Sequence, residues 1–174
     1  MLTPQHDLYA NIAPHVRGHS VLEVGFGTGT GTLQLVPYAR NVTAIESDRY
    51  AVDFAREMYP MQADWQLSDI LDYRVGEMFE CAVMIEVLEH ITNWQRALQN
   101  VRDGLVAGGE LFISARNANA DLRRNDLHER EWTAKEFSIA LRSLFSDVTL
   151  WDYRLAKKQD ETTRCTPLIA RARK

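Results

Sequence analysis

The run Glu23-Val24-Gly25-Phe26-Gly27-Thr28-Gly29-Thr30-Gly31 puts glycine at every second position, directly after the apolar, β-branched stretch Ser20–Val24. A strand that ends in such a cluster has to turn sharply into whatever follows. The missing Cβ atoms also let another backbone or a ligand approach closely. Spacing then narrows the meaning. The dinucleotide pattern G-x-G-x-x-G, begun at Gly25, needs glycine where Thr30 stands, and begun at Gly27 it needs glycine where Thr32 stands. No Gly-Lys-Ser/Thr follows, so the loop is not a phosphate-cradling P-loop either. Taken alone, the loop fits a ligand turn or a plain strand-to-helix turn. Glu46 sharpens the choice, because it stands 21 residues after Gly25 at the end of a second apolar run, Asn41–Ile45. In a βαβ unit an acid at that distance reaches ribose hydroxyls.

The same alternation of apolar run and helical period continues along the chain, which is the pattern of βα units around a parallel sheet. A leading helix over Gln5–His15 precedes the first strand. A helix with Ala51, Phe54, Ala55 and Met58 on one face follows the second strand and stops at Pro60. A weak strand lies near Gln62–Leu67 and the strongest is Phe79–Ile85, apolar enough to be buried on both faces. Ile91, Trp94, Leu98, Val101 and Leu105 give a helix closed by Gly108-Gly109, and Glu110–Ser114 is the fifth strand. Ala115–Trp132 is polar and without period. Thr133 and Glu136 form a capping box that opens a helix burying Phe137, Ala140, Leu141 and Leu144. Asp147–Leu155 and Thr166–Ala172 are joined too tightly for a crossover helix and are expected to pair antiparallel. The chain, 1–174, reads as one domain: a leading helix (1–19), a core (20–115), an insertion (116–132), and a closing helix with a hairpin (133–174).

Composition removes whole classes of function. With 45% apolar residues and 25% charged ones the chain builds a core rather than a disordered tail. Its 20 basic against 24 acidic residues give a net charge of −4, without the basic surplus that a nonspecific nucleic-acid binder carries. Cys81 and Cys165 stand alone, so neither a zinc knuckle nor a disulfide framework is expected. The polar start and apolar runs far short of the ~20 residues that span a bilayer give the expectation of a cytoplasmic chain without a membrane span.

In order, the motifs are Glu23-x-Gly25-x-Gly27-x-Gly29, Glu46, Ser68-Asp69-Ile70, Glu86-Val87-Leu88-Glu89-His90 and Gly108-Gly109. Together they resemble the class I S-adenosylmethionine-dependent methyltransferases, and within them the small-molecule group typified by ubiquinone-biosynthesis O-methyltransferases. The resemblance is close over residues 20–115. It implies an α/β, Rossmann-like, seven-stranded sheet in the order 3-2-1-4-5-7-6, with only strand 7 antiparallel and helices on both faces. It also implies S-adenosylmethionine as cofactor. Gly25, Gly27 and Gly29 would pass beneath the methionine and ribose portions, and Glu23 would help hold the ammonium end. Glu46, with Ser47 beside it, would take the ribose hydroxyls. Asp69 and the amide of Ile70 would take the adenine, and Glu86 and Val87 would line the methionine end. Phe26 departs from the small or polar residue usual at its place, and either walls off the sulfonium or packs on the leading helix.

Methyl transfer from a sulfonium is an in-line displacement, so alignment carries most of the catalysis. A weakly acidic acceptor also needs a base, and His128 and His90 are the candidates. The pairs Glu89-His90 and His128-Glu129 do not make a metal site, which needs three or four converging ligands, so no metal is expected. Strand 4 ends in Ile85-Glu86-Val87-Leu88, not in the Asn/Asp-Pro-Pro-Tyr that base and glutamine methyltransferases resembling this fold carry there. That group is disfavoured, and the resemblance to the small-molecule group implies an acceptor oxygen or nitrogen on a metabolite, sugar or lipid precursor. The other readings are a cofactor-binding scaffold or partner subunit without turnover, and a methyltransferase for RNA or protein. The segments that would form a lid are short, so either a homodimer or partner subunit completes it, or a bulky substrate binds at an open face. Arg116, Arg123, Arg124 and Arg130 crowd the insertion, where they either meet a phosphate or carboxylate of the substrate or simply solvate the loop.

Overall fold

The structure is a computed structural model that describes residues 4–120 and 126–174. Arg123 and Arg124 lie outside the described residues. Among the described residues eight strands form one sheet: β1 (Ser20–Val24), β2 (Asn41–Glu46), β3 (Asp64–Leu67), β4 (Phe79–Met84), β5 (Leu105–Ala115), β6 (Asp147–Trp151), β7 (Lys158–Gln159) and β8 (Leu168–Arg173). The helices are α1 (Pro4–Ile12), α2 (Thr32–Leu35), α3 (Arg49–Met58), α4 (Trp94–Gly104) and α5 (Ala134–Arg142), with single 3₁₀ turns at Ala13–Val16 and Leu88–His90. Among the described residues no helix is long and apolar enough to cross a membrane.

The strand order is β3-β2-β1-β4-β5-β8-β6-β7. β1 to β5 run parallel, and β8 lies antiparallel between β5 and β6. This is the expected order with one addition, the two-residue β7, which pairs through Leu150 and Trp151 of β6. β1 is central and its five residues are all buried. Side chains alternate across it, so each strand feeds two cores. Leu22 and Val24 join Ala82, Met84, Leu111 and Ile113 on the face covered by α4 and α5. Val21 joins Cys81, Val83 and Phe112 on the face covered by α1. Burying a Leu, Val or Phe side chain contributes ~1.5–3 kcal/mol, so the alternation fixes the register of every strand.

Two expected details are corrected. Helix α3, capped by the Asp48 side chain on the Tyr50 amide, turns Val52 and Ala55 inward and leaves Phe54 and Met58 exposed. It borders the edge strand β3, where a narrow apolar stripe is enough. Helix α4 starts at Trp94, where the Asn93 side chain accepts from the Arg96 amide, and ends at Gly104. Leu105 therefore opens β5 instead of closing the helix. The register shift against β4 between Phe79 and Cys81 absorbs the extra residues, with Gly108 inside that irregularity at φ +77°.

The insertion is tied at its neck. Asn117 bridges to Trp132, the Trp132 amide donates to the Arg116 carbonyl, and the Ala118 amide donates to the Trp132 carbonyl. The Asn117 amide group donates to the carbonyls of Thr163 and Cys165. Trp132 anchors the far end of the insertion, buried with its ring 5.0 Å from that of Trp94. The Leu127 side chain, by contrast, is exposed.

Candidate functional site

A cavity of about 540 Å³ opens at the C-terminal ends of β1, β2 and β4, within the size range of small-molecule sites and at the edge where open α/β sheets bind ligands. Its floor depends on Gly25. That residue has φ +73°, its amide donates to the Ile45 carbonyl, and a Cβ on it would lie 2.4 Å from Cγ2 of Val87. Only glycine lets the turn after β4 close onto the turn after β1. Gly27 is turned toward β2 through its amide, and Gly29 closes the turn by donating to the Phe26 carbonyl before α2 begins. Phe26 packs inside, 4.9 Å from the Trp65 ring and in the same core cluster as α1. It does not line the cavity.

Glu46 is held in place before any ligand arrives. One carboxylate oxygen accepts from the Gly27 amide at 3.0 Å, and the other accepts from the amides of Ser47 and Asp48 at 2.7 and 3.1 Å. Both Glu46 and Ser47 line the cavity. Asp69 and Ile70 line it too, with Oδ1 of Asp69 accepting from the Leu71 amide and the Ile70 carbonyl accepting from Asn100. Asp69 is thus both the turn-former and a wall residue.

The turn after β4 carries the strain. Glu86 has φ +55°, a left-handed conformation costly for a residue with a side chain and characteristic of functional sites. Ser114 at the end of β5 locks it there: its hydroxyl accepts from the Glu86 amide and donates to the Glu86 carboxyl. Burial raises the Glu86 carboxyl above the ordinary range, while Ser114, Arg116 and His90 pull it back. Glu89 is fully buried, and burial together with the Glu86 charge pushes it up to about 8. Its side chain accepts from the Arg116 amide and its carbonyl from the Arg130 amide, so one residue clasps both ends of the insertion.

The two histidines proposed as alternatives meet. Their rings stand edge to face at 4.9 Å. His90 lines the cavity, with its Nδ1 3.1 Å from the Leu127 carbonyl. His128 lies behind it, its side chain only 6% exposed and its Nδ1 3.4 Å from the Glu131 carboxylate, which Arg116 also pairs. Burial and the neighbouring His90 hold the His128 pKa below the ordinary histidine value, against the pull of Glu131. Arg130 is committed elsewhere, stacked 4.1 Å over Trp132 and paired with Glu136.

Glu23 is not on the cavity wall. It lies behind the glycine loop, on the α1 face of β1, where the Tyr9 hydroxyl donates to it at 2.7 Å. Sequence reasoning missed Ser114, Glu89, Glu131 and Tyr9 as parts of the site. For two of them a signal existed: a small polar residue ends an apolar strand at Ser114, and a lone acid sits in an apolar turn at Glu89.

The cradle suits a nucleoside with an amino-acid tail. Two carboxylates face one end, the Gly25–Val87 contact shapes the middle, and a partly buried acid lies beyond. A methyltransferase-domain profile matches residues 22–113, just over half of the chain. A probable S-adenosylmethionine-dependent methyltransferase of Mycobacterium tuberculosis is 30% identical over 153 residues, covering 82% of this chain and 54% of that protein. A ubiquinone biosynthesis O-methyltransferase of Coxiella burnetii is 29% identical over 108 residues, covering 60% and 46%. Among solved structures, an N-methyltransferase from Bradyrhizobium japonicum with S-adenosyl-l-homocysteine bound superposes with a TM-score of 0.69 at 22% identity, over 97% of this chain and 85% of that one. The chain belongs to the class I S-adenosylmethionine-dependent methyltransferase family, and S-adenosylmethionine is its cofactor. It spans about half the length of the curated relatives it matches.

Proposed function

We propose that this chain, as a single catalytic domain, transfers a methyl group to an oxygen or nitrogen of a small metabolite, sugar or lipid precursor. The observation that carries the reading is the continuity of one cavity from the Glu46 and Asp69 carboxylates to His90. Glu46 and Ser47 take the ribose hydroxyls, Asp69 and the Ile70 amide take the adenine, and Glu86 and Val87 line the methionine end. The bound cofactor supplies an electrophilic methyl on a sulfonium. Alignment is the work of Gly25, Val87 and the strained Glu86, which fix the width of the passage. His90, backed by His128, accepts the acceptor's proton, and Glu131 holds the second ring. The neck of the insertion, clasped by Glu89, is the wall on the substrate side, and a partner subunit or second copy would supply the rest of the lid.

Calorimetry should show binding of S-adenosylhomocysteine to the purified chain, and labelled methyl groups should enter a component of a metabolite extract. Binding without incorporation would support the scaffold reading, and absence of binding to folded protein would remove the cofactor reading altogether. Once an acceptor is in hand, His90→Ala and His128→Ala are each expected to lower turnover by ~10²-fold. The double variant should fall little further, because groups that act as a unit are not additive. Full activity in both single variants would leave alignment as the whole of the catalysis.

A further inference from the structure

Glu23 is the exception on its face of the sheet. Strand alternation sets it beside Val21 in a layer built from Leu8, Ile12, Phe26, Val83 and Phe112, and it is fully buried there. An ionised carboxyl in such a place is costly unless its charge is compensated. Among the described residues the groups that face it are Tyr9 from α1, Thr32 from α2 and Glu46 at the end of β2, and none of these is a cation. Tyr9 is itself locked in place. Its hydroxyl donates to Glu23, and its ring lies so close to Gly31 that a Cβ there would sit 2.5 Å from the ring carbons. One side chain therefore joins the leading helix, the buried acid and the far end of the glycine loop.

We propose that Tyr9 is a positioning residue of the cofactor site: its hydroxyl holds the Glu23 carboxyl behind the glycine loop, and binding of a ligand whose ammonium end lies at that loop drives the Glu23 proton into solvent. The proposal rests on the cofactor reading above. The step is balanced: the carboxylic acid becomes a carboxylate, the proton goes to buffer, and the ligand's ammonium keeps its charge and is attracted to the new anion. In the free protein, burial pushes the Glu23 carboxyl up to about 7, against the Tyr9 and Thr32 hydroxyls, so acid and carboxylate coexist near neutral pH. A cation bound at the glycine loop favours the charged form of a nearby buried carboxyl and shifts that balance toward the carboxylate. The phenol's hydrogen bond is what makes the anion tolerable.

Calorimetric titration at pH 7 in two buffers of different ionisation enthalpy counts the protons released. S-adenosylhomocysteine carries the ammonium end, and 5′-methylthioadenosine lacks it. The first ligand should release roughly half a proton, as expected of a group with a pKa near the working pH, and the second should release none. Glu23→Gln should abolish the release while still binding 5′-methylthioadenosine. Tyr9→Phe, which keeps the ring on Gly31, should weaken S-adenosylhomocysteine about tenfold, leave 5′-methylthioadenosine unchanged, and move the release to higher pH. Thermal melts of both variants establish that they are folded. Release that persists in Glu23→Gln, no release in the wild type, or equal weakening of both ligands by Tyr9→Phe would each overturn the proposal. Failure of both ligands to bind the wild type would instead remove the cofactor reading, and the proposal with it.

Discussion

Glu46→Ala is expected to weaken S-adenosylhomocysteine binding by roughly 10²–10⁴-fold while the melting temperature changes little. Two ribose hydroxyls on one carboxylate make two charge-assisted hydrogen bonds of ~1.5–3 kcal/mol each, and ~1.4 kcal/mol is one decade in affinity. The carboxylate also collects the Gly27, Ser47 and Asp48 amides in advance, so the ligand does not have to order it. Removing it costs both contact and preorganisation. The fold loses less, because these amides lie at an exposed edge where water replaces the bond. A dissociation constant unchanged in the folded variant would make Glu46 a loop tie and nothing more.

The second large effect is on stability and depends on pH. Glu89 is buried with its carboxyl raised from the ordinary value to about 8. A folded state that binds this proton more tightly than the unfolded chain gains stability from it at low pH. That advantage starts to fade above the unfolded pKa near 4.5 and is gone above pH 8. Glu89→Gln has no charge to bury, and its amide oxygen can still accept from the Arg116 amide. The variant should match the wild type near pH 5 and exceed it at pH 9 by on the order of 3–5 kcal/mol. Urea midpoints across that range read the difference directly. Parallel curves would mean that Glu89 ionises freely in the folded protein. Glu23 adds a slope of the same sign below pH 7, so the wild type itself should lose stability from pH 5 toward pH 8.

The parts of this molecule that were legible in its sequence share a physical cause. Short continuous apolar runs announced β1, β2 and β4 because those strands send buried side chains to both faces of the sheet. The capping box at Thr133 and Glu136 was readable because it is entirely local, and both of its hydrogen bonds are present. What escaped was set by contacts between distant segments. No local pattern places His128 against His90, because the fold brings the end of the insertion over the turn after β4. Glu23 shares its strand's period with Val21, yet its neighbour Tyr9 comes from another element. The inward stripe of α3 was misread because Phe54 and Met58 are as apolar as Val52, and only the position of β3 decides which face is covered. The start of β5 was hidden by its bulge, which lets glycines stand inside a strand.

The neck of the insertion has a consequence for how such a chain can change. Arg116 and Arg130 are both fastened to Glu89, and Asn117 is bridged to Trp132, so the segment leaves and re-enters the body of the protein at one fixed gate. A loop closed at its base can lengthen without pulling on the sheet that carries it. Doubling its length adds only about 0.6 kcal/mol of closure entropy, and nothing in the strand order has to move. The gate is thus a grafting point, where a longer lid can be exchanged while the glycine loop, Glu46 and Asp69 stay as they are, and only the contacts of Leu127 and His128 with His90 change with it.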